Sequence, residues 1–433
     1  MTRPCQASTP AATEHALYHP GVTYLARRLL TAVLTANALR PVPGFRVQLP
    51  VFVAGWLAGE LAPHLLALTA ADTAVSLARG RAGRGGLLLA AGTAAGLAHL
   101  LHQSRQAGDV VEDALVEGLG GVDYVGQLDA APSPADLATP WRQVARPFRF
   151  GDVQVRVERD LSYTEAGRRG HLDIYRPVTA GATPAPVLLQ IHGGGWTLGR
   201  KDQQGLPLMY RMASQGWVCV AINYRLAPRD PYPAHIVDVK RAIAWIKEHI
   251  AEHGGDPGYL AVTGGSAGGH LAALAAVTPG DPAFQPGFED ADTSIQAAVP
   301  FYGVYDWAGS TGLRQAEQMR DRFLAPRIVQ RTWAEVPELF EAASPVLRVT
   351  ADVPDFFVIH GTSDSLVSVD QARLFVERLR AVSRHRVVYA EIPGAQHAFD
   401  TFHSIRSAHV VRGVDRFLTW SWNGYRRERA ATT

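Results

Sequence analysis

From about residue 150 onward the chain alternates short apolar runs with longer mixed stretches. Val153, Val155 and Val157 alternate with polar neighbours, as in a half-buried strand. Leu172 to Tyr175, Val187 to Ile191, Val218 to Ile222, Leu260 to Thr263, Ile295 to Tyr302, Phe356 to His360 and Val387 to Ile392 are apolar runs of strand length. Val237 to His249 repeats its apolar positions at the helical period. Buried strands separated by helices predict an α/β fold: a mostly parallel central sheet with helices on both faces.

Ahead of residue 150 the pattern changes to an all-α region. Residues 1 to 20 are polar and contain proline, and read as a disordered tail with no signal-peptide core. Residues 21 to 105 read as a hydrophobic helical region. Tyr24 to Leu39 has a helical pattern, but its clean apolar part starts only at Leu29 and is too short to cross a bilayer. Val47 to Ala71 exceeds the roughly 20 residues a span requires, though Glu60, Pro63 and His64 interrupt it. Leu87 to Leu101 is apolar and marginal in length.

Two spacings point to a membrane. Gly55 with Gly59, and Gly92 with Gly96, form G-x-x-x-G pairs that let helices approach closely. Glu60 and His64 would share one helix face and so find a partner within the lipid. The other reading of the same residues is a soluble helical hairpin packed on the α/β domain. Arginines flank the long segment on both sides, so the orientation stays open. Residues 106 to 150 read as a connector, acidic at first and then Pro-containing, and residues 151 to 425 as the α/β domain. If the helices sit in the bilayer, removing residues 1 to 105 is expected to release a soluble, active domain.

Composition adds little and excludes more. The 433 residues carry a formal net charge of +2, which gives no reason to expect a nucleic-acid partner. Two cysteines, Cys5 and Cys219, make no disulfide framework, and Cys219 reads as a small core residue.

The chemistry is concentrated in loops that follow strands. Gly264-x-Ser266-x-Gly268 joins the apolar run ending at Thr263 to an Ala/Leu-rich helical pattern. A serine on so sharp a strand-to-helix turn needs glycine neighbours, because side chains there would collide. About 70 residues earlier, His192-Gly193-Gly194-Gly195-Trp196 follows the strand ending at Ile191. Three successive glycines free backbone N–H groups to face a developing oxyanion. A serine nucleophile needs a base, and the base an orienting acid, in the chain order Ser, Asp or Glu, His. Asp364 follows the run ending at His360, and His397 follows the run ending at Ile392. Asp370 and Asp400 are rival carboxylates, and His403 and His409 rival imidazoles, read as capping, solvated or helical residues.

These motifs, with Asn223-Tyr224-Arg225-Leu226-Ala227-Pro228 and Gly264-Gly265-Ser266-Ala267-Gly268-Gly269, make residues 150 to 425 resemble the bacterial hormone-sensitive-lipase-like esterases of the α/β-hydrolase superfamily. The resemblance implies a serine carboxylesterase or lipase with Ser266, His397 and Asp364 as its triad and the N–H groups of Gly194, Gly195 and Ala267 as its oxyanion hole. His192, Gly193, Trp196, Gly264 and Gly268 would then support these motifs, His192 by holding the glycine loop rather than as a base. No metal or cofactor is required, and the substrate would be a small or lipid-like ester. The sequence departs from the family at Arg229, where a glutamate is usual, and at Val367-Ser368-Val369, where a further acid is usual. Residues 305 to 347 fall where the family carries a cap, and Trp307, Phe323, Leu324, Trp333 and Phe340 could line its pocket or form a small core. The hydrophobic helices ahead of the domain look like those of mycobacterial membrane-associated esterases. The same residues would also serve an amidase, a small-molecule deacetylase or an acyltransferase. A non-catalytic scaffold on this fold would be expected to have lost the serine or the histidine.

Overall fold

The computed structural model describes residues 23–179, 181 and 183–432. The tail read over residues 1 to 20, with Cys5, lies outside them. Four helices come first: α1 (Tyr24–Leu39), α2 (Gln48–Glu60), α3 (Ala62–Ala78) and α4 (Arg84–Leu119). Two single turns follow, α5 (Pro134–Leu137) and α6 (Trp141–Val144). The α/β part then runs β1 (Val155–Ser162), β2 (His171–Pro177), β3 (Ala185–Ile191), α7 (Leu206–Ser214), β4 (Val218–Ile222), α8 (Ala234–His249), β5 (Gly255–Gly265), α9 (Ala267–Val277) and β6 (Ala297–Phe301). It continues through α10 (Arg314–Met319), a π-helical stretch (Arg320–Val329) and α11 (Pro337–Ala342). The chain closes with β7 (Asp355–Gly361), α12 (Val369–Val382), β8 (Val387–Ile392) and α13 (Ile405–Thr432).

The eight strands form one sheet in the order β1-β2-β4-β3-β5-β6-β7-β8. β2 pairs antiparallel with β1 and β4, and every other pair is parallel. Successive side chains of a strand face opposite ways, and each face meets a helical layer. Leu189, Val220 and Val262 pack with α8, α9 and α12, while Leu188, Ala221 and Ala261 pack with α4, α7 and α13. This is an α/β-hydrolase fold, preceded by an all-helical region.

The helical region differs from its sequence reading in three ways. First, the apolar stretch Val47 to Ala71 is not one helix: α2 and α3 meet at Leu61 with a bend of 77°. Pro63 sits in the first turn of α3, where its missing N–H costs nothing, but the same residue would break a continuous helix. Glu60 and His64 therefore lie on different helices rather than on one face. Second, the apolar pattern from Leu87 belongs to a 36-residue helix that runs to Leu119, through much of the stretch read as connector. Ala107, Val111, Ala114 and Leu115 recur at helical spacing and enter the core beneath the sheet. Third, Gly55 lies against the Asn37 and Gln396 side chains and Gly96 against Thr35, so these glycines serve packing within the molecule. One described helix, α4, is long and apolar enough to cross a membrane.

Candidate active site

Four backbone turns, at the C-terminal ends of β3, β5, β7 and β8, build the site. Ser266 links β5 to α9 with φ 59° and ψ −120°, a left-handed conformation that a non-glycine residue holds only when its surroundings fix it. The surroundings are backbone. A Cβ on Gly268 would lie 2.1 Å from the Ile191 carbonyl oxygen, and one on Gly264 would lie 2.6 Å from the same atom. The Ser266 N–H donates to the Phe301 carbonyl at 3.0 Å, which fixes the turn to β6.

The glycine loop lies beside the serine. A Cβ on Gly193 would sit 3.3 Å from Ser266 Cβ. Gly194 (φ 116°) and Gly195 (φ 56°) turn the loop, and their N–H groups, like that of Ala267, have no acceptor among the described residues. Three other side chains brace this loop. Gln204 Oε1 accepts the Gly193 N–H at 2.7 Å. His192 is buried, stacks on Tyr224 at 4.3 Å, and bonds Gly193 O through Nδ1 at 2.7 Å. Burial lowers its pKa to about 4, against the Gly193 hydrogen bond, so it is a neutral structural residue. Tyr224 donates to His192 O at 2.9 Å, and Ala227 N–H to Trp196 O at 2.9 Å, so the Asn223–Pro228 segment holds the same loop.

Asp364 and His397 meet across the ends of β7 and β8. His397 Nδ1 lies 2.7 Å from Asp364 Oδ2, and both side chains are buried. Asp364 Oδ1 accepts the N–H groups of Leu366 and Val367, each at 2.9 Å. Burial alone would raise the Asp364 carboxyl. The His397 and His360 imidazoles outweigh it and hold that carboxyl well below the usual range. Gln396 Oε1 accepts from Ser365 N–H at 2.7 Å and His397 N–H at 2.9 Å, tying the two loops together.

None of the rivals bonds to this pair, though Asp400 is buried within electrostatic reach of His397 rather than solvated. Asp370 pairs with Arg373 at 2.9 Å. His403 precedes α13 rather than lying on it, and packs on Phe150 at 5.4 Å. His409 bonds Thr139 at 3.3 Å. Asp400 accepts from the Tyr302 hydroxyl.

Three residues with no motif of their own also stand at the site. Tyr302 follows β6, lies 4.6 Å from the His397 ring, and has its hydroxyl 2.6 Å from where a Gly265 Cβ would be. It thus touches both the Ser266 turn and the histidine; the sequence placed it only as the last residue of the strand-length run from Ile295. His360, inside β7, brings Nε2 to 3.2 Å from Asp364 Oδ2 and 3.0 Å from Val367 O. Phe52, from α2, packs edge-on against His397 at 5.7 Å, and nothing in the local sequence announces it. In the cap stretch, Trp307, Leu324 and Phe340 are fully buried core, while Phe323 lies close to Gly195. Among the described residues no cluster of ligating side chains could hold a metal ion.

Comparison with known proteins gives this geometry its chemistry. The BD-FAE family model matches residues 172–379. The probable carboxylic ester hydrolase LipM of Mycobacterium tuberculosis is 49% identical over 339 residues, spanning 76% of this chain and 77% of that protein. Esterase LipC of the same organism is 43% identical over 310 residues, 71% of this chain and 75% of that protein. Among solved structures, esterase B from Lactobacillus rhamnosis shares the fold with a TM-score of 0.52 and 21% identity, over 65% of this chain and 89% of that one. With a strained serine turn, a glycine loop and a carboxylate-bound histidine on an α/β-hydrolase sheet, and with relatives so similar over most of their length, this chain is a carboxylic ester hydrolase and belongs to the family of LipM and LipC.

Proposed function

We propose that Ser266, His397 and Asp364 form the catalytic triad of a serine carboxylesterase of the hormone-sensitive-lipase-like group. The observation that carries this reading is the 2.7 Å contact between His397 Nδ1 and Asp364 Oδ2, with Tyr302 packed on both His397 and the turn that holds Ser266 at φ 59°. Asp364 keeps the His397 proton on Nδ1, which leaves Nε2 free to act as base. His397 takes the Ser266 proton as Oγ attacks the ester carbonyl. The carbonyl oxygen gains charge and is received by the N–H groups of Gly194, Gly195 and Ala267, each such donor contributing about 10²–10³ in rate. His397 then returns the proton to the leaving alcohol oxygen as the C–O bond breaks. Water, deprotonated by the same imidazole, attacks the acyl-enzyme and releases the acid.

The helical region supports membrane association. Leu29, Leu30, Val33, Leu49, Leu68 and Leu88 are exposed, as are Arg40, Arg46, Arg79, Arg81 and Arg84. An apolar surface edged by arginines suits an anionic lipid surface, and a lipid-like ester would be its substrate. Wholly soluble full-length protein that stays off anionic vesicles would sink this part.

Hydrolysis of p-nitrophenyl esters from acetate to palmitate, by wild type and Ser266→Ala, tests the triad. Loss of turnover and of phosphonate labelling in the variant is expected. Equal turnover in both proteins would overturn the assignment.

A further inference from the structure

An aromatic ring that packs on His397 from outside the hydrolase fold carries an inference that rests on the triad reading above. The Phe52 and His397 ring planes stand at 86°, with centroids 5.7 Å apart. Phe52 also stacks on Trp56 at 5.7 Å, and Trp56 packs on Phe402 at 5.3 Å. Phe52 itself is only half-buried, so it keeps some accessible surface.

The helix that carries it is locked in place. Gly55 lies against the Gln396 side chain, the same amide that accepts the His397 N–H. At the end of α2, Glu60 forms a 2.9 Å ion pair with Arg406 and accepts from Ser404 Oγ at 2.6 Å. Both charged side chains are buried. From the far side the cap meets this unit, where the Arg322 guanidinium lies 5.7 Å from the Phe45 ring in the α1–α2 connection. Phe52 thus belongs to a fixed wall.

The reaction dictates what that wall faces. In acylation His397 must hand its proton to the oxygen of the departing alcohol, so that oxygen comes within hydrogen-bond reach of the imidazole. The carbonyl oxygen is held on the opposite side, on the glycine loop. A side chain packed on His397 therefore borders the alcohol half of the ester. We propose that Phe52 is a specificity-determining residue for the alcohol, and that it selects esters of apolar alcohols. The helices ahead of the catalytic domain then supply part of the substrate site.

The test varies each half of the ester separately, using the full chain. One series is methyl, butyl and octyl acetate; the other is p-nitrophenyl acetate, butyrate and octanoate. Wild type, Phe52→Leu and Phe52→Ala are compared by kcat/KM, which reports acylation, per Ser266 titrated with a p-nitrophenyl phosphonate. Titration removes any misfolded fraction from the comparison. Wild type should favour octyl over methyl acetate by about tenfold or more, the scale for apolar contacts in a pocket. Phe52→Ala should cut that ratio at least about fivefold, Phe52→Leu less, and neither should move the acyl-series ratios beyond about twofold. A flat alcohol series in wild type, an unchanged ratio in Phe52→Ala, or equal shifts in both series would overturn the assignment. Failure of the triad reading looks different: wild type would then neither label with phosphonate nor turn over p-nitrophenyl acetate through Ser266.

Discussion

His270 sits one turn into α9, with its N–H bonded to the Ser266 carbonyl at 2.9 Å, and its side chain is fully buried. Nδ1 accepts from the Trp196 indole N–H at 3.3 Å, and Nε2 lies 2.8 Å from Ala343 O. The ring stacks on Trp307 at 4.6 Å. Only the neutral tautomer with its proton on Nε2 satisfies both contacts; an imidazolium would aim a second N–H at the Trp196 donor. Burial, opposed by the Ala343 hydrogen bond, lowers the pKa to about 3. In the unfolded chain the ordinary value is about 6.5. As pH falls from 7 to 5 the unfolded state takes up about 0.7 of a proton here and the folded state almost none. The folded state therefore loses about 2 kcal/mol from this one side chain. Because the folded pKa lies well below the lower pH, the unfolded value sets the amount. His270→Gln removes the titration. Urea unfolding of wild type and variant at both pH values isolates it, since every other titrating group is common to the two. The variant should be about 1–3 kcal/mol less stable at pH 7, from its lost hydrogen bonds. That gap should shrink by about 2 kcal/mol at pH 5. A gap that changes by less than about 0.5 kcal/mol would show that His270 charges in the folded protein, and would refute the account of how Trp196 and α9 are joined.

Two further outcomes follow from close contacts. Gly268→Ala sets a Cβ 2.1 Å from Ile191 O and 2.8 Å from His192 O, both backbone atoms that feed the glycine loop. It should destabilise the fold by about 1–3 kcal/mol and, by displacing the serine, cost about 10² in kcat per titrated site; near-normal kcat would mean that the turn tolerates the shift. Glu60→Ala leaves Arg406 buried without its counter-charge and should cost about 3–5 kcal/mol in denaturant unfolding, most of it recovered when Arg406→Met is added. A double variant no more stable than the single one would deny that the ion pair is the cause.

How much of this was legible in the sequence depends on where each constraint is written. The turn at Ser266 and the loop at Gly193–Gly195 need backbone space, and that need appears directly as glycine, so both could be located without a structure. The strands were legible because they are buried on both faces and so read as unbroken apolar runs. Asp364 and His397 were placed by chain order and by their position after strands, and the two side chains do meet. Tyr302, His360 and Phe52 left no such mark. Each reaches the site through strand order or helix docking, and a tyrosine after a strand, a histidine within one or a phenylalanine on an apolar helix looks the same when it does nothing but pack.

The helical region shows the same limit in a sharper form, because hydrophobicity alone does not separate a membrane span from a helix buried in protein. Glu60 interrupts the longest apolar stretch, and its partner, Arg406, lies 346 positions away, beyond any local pattern. Once that pair is known, the segment cannot be threaded straight through a bilayer without stripping Arg406 of its counter-charge. α4 makes the same point along its own length. Its first half supports α1 and α3 and leaves Leu88 exposed, while its second half lies in the core under the sheet. A cut at residue 105 would therefore divide one continuous helix, orphan Arg406 and remove the ring that borders His397. Those three features predict that such a cut would not free an intact catalytic domain. The exposed leucines and arginines of these helices therefore belong to the same folded unit as His397, and a lipid surface that took them up would meet that unit whole.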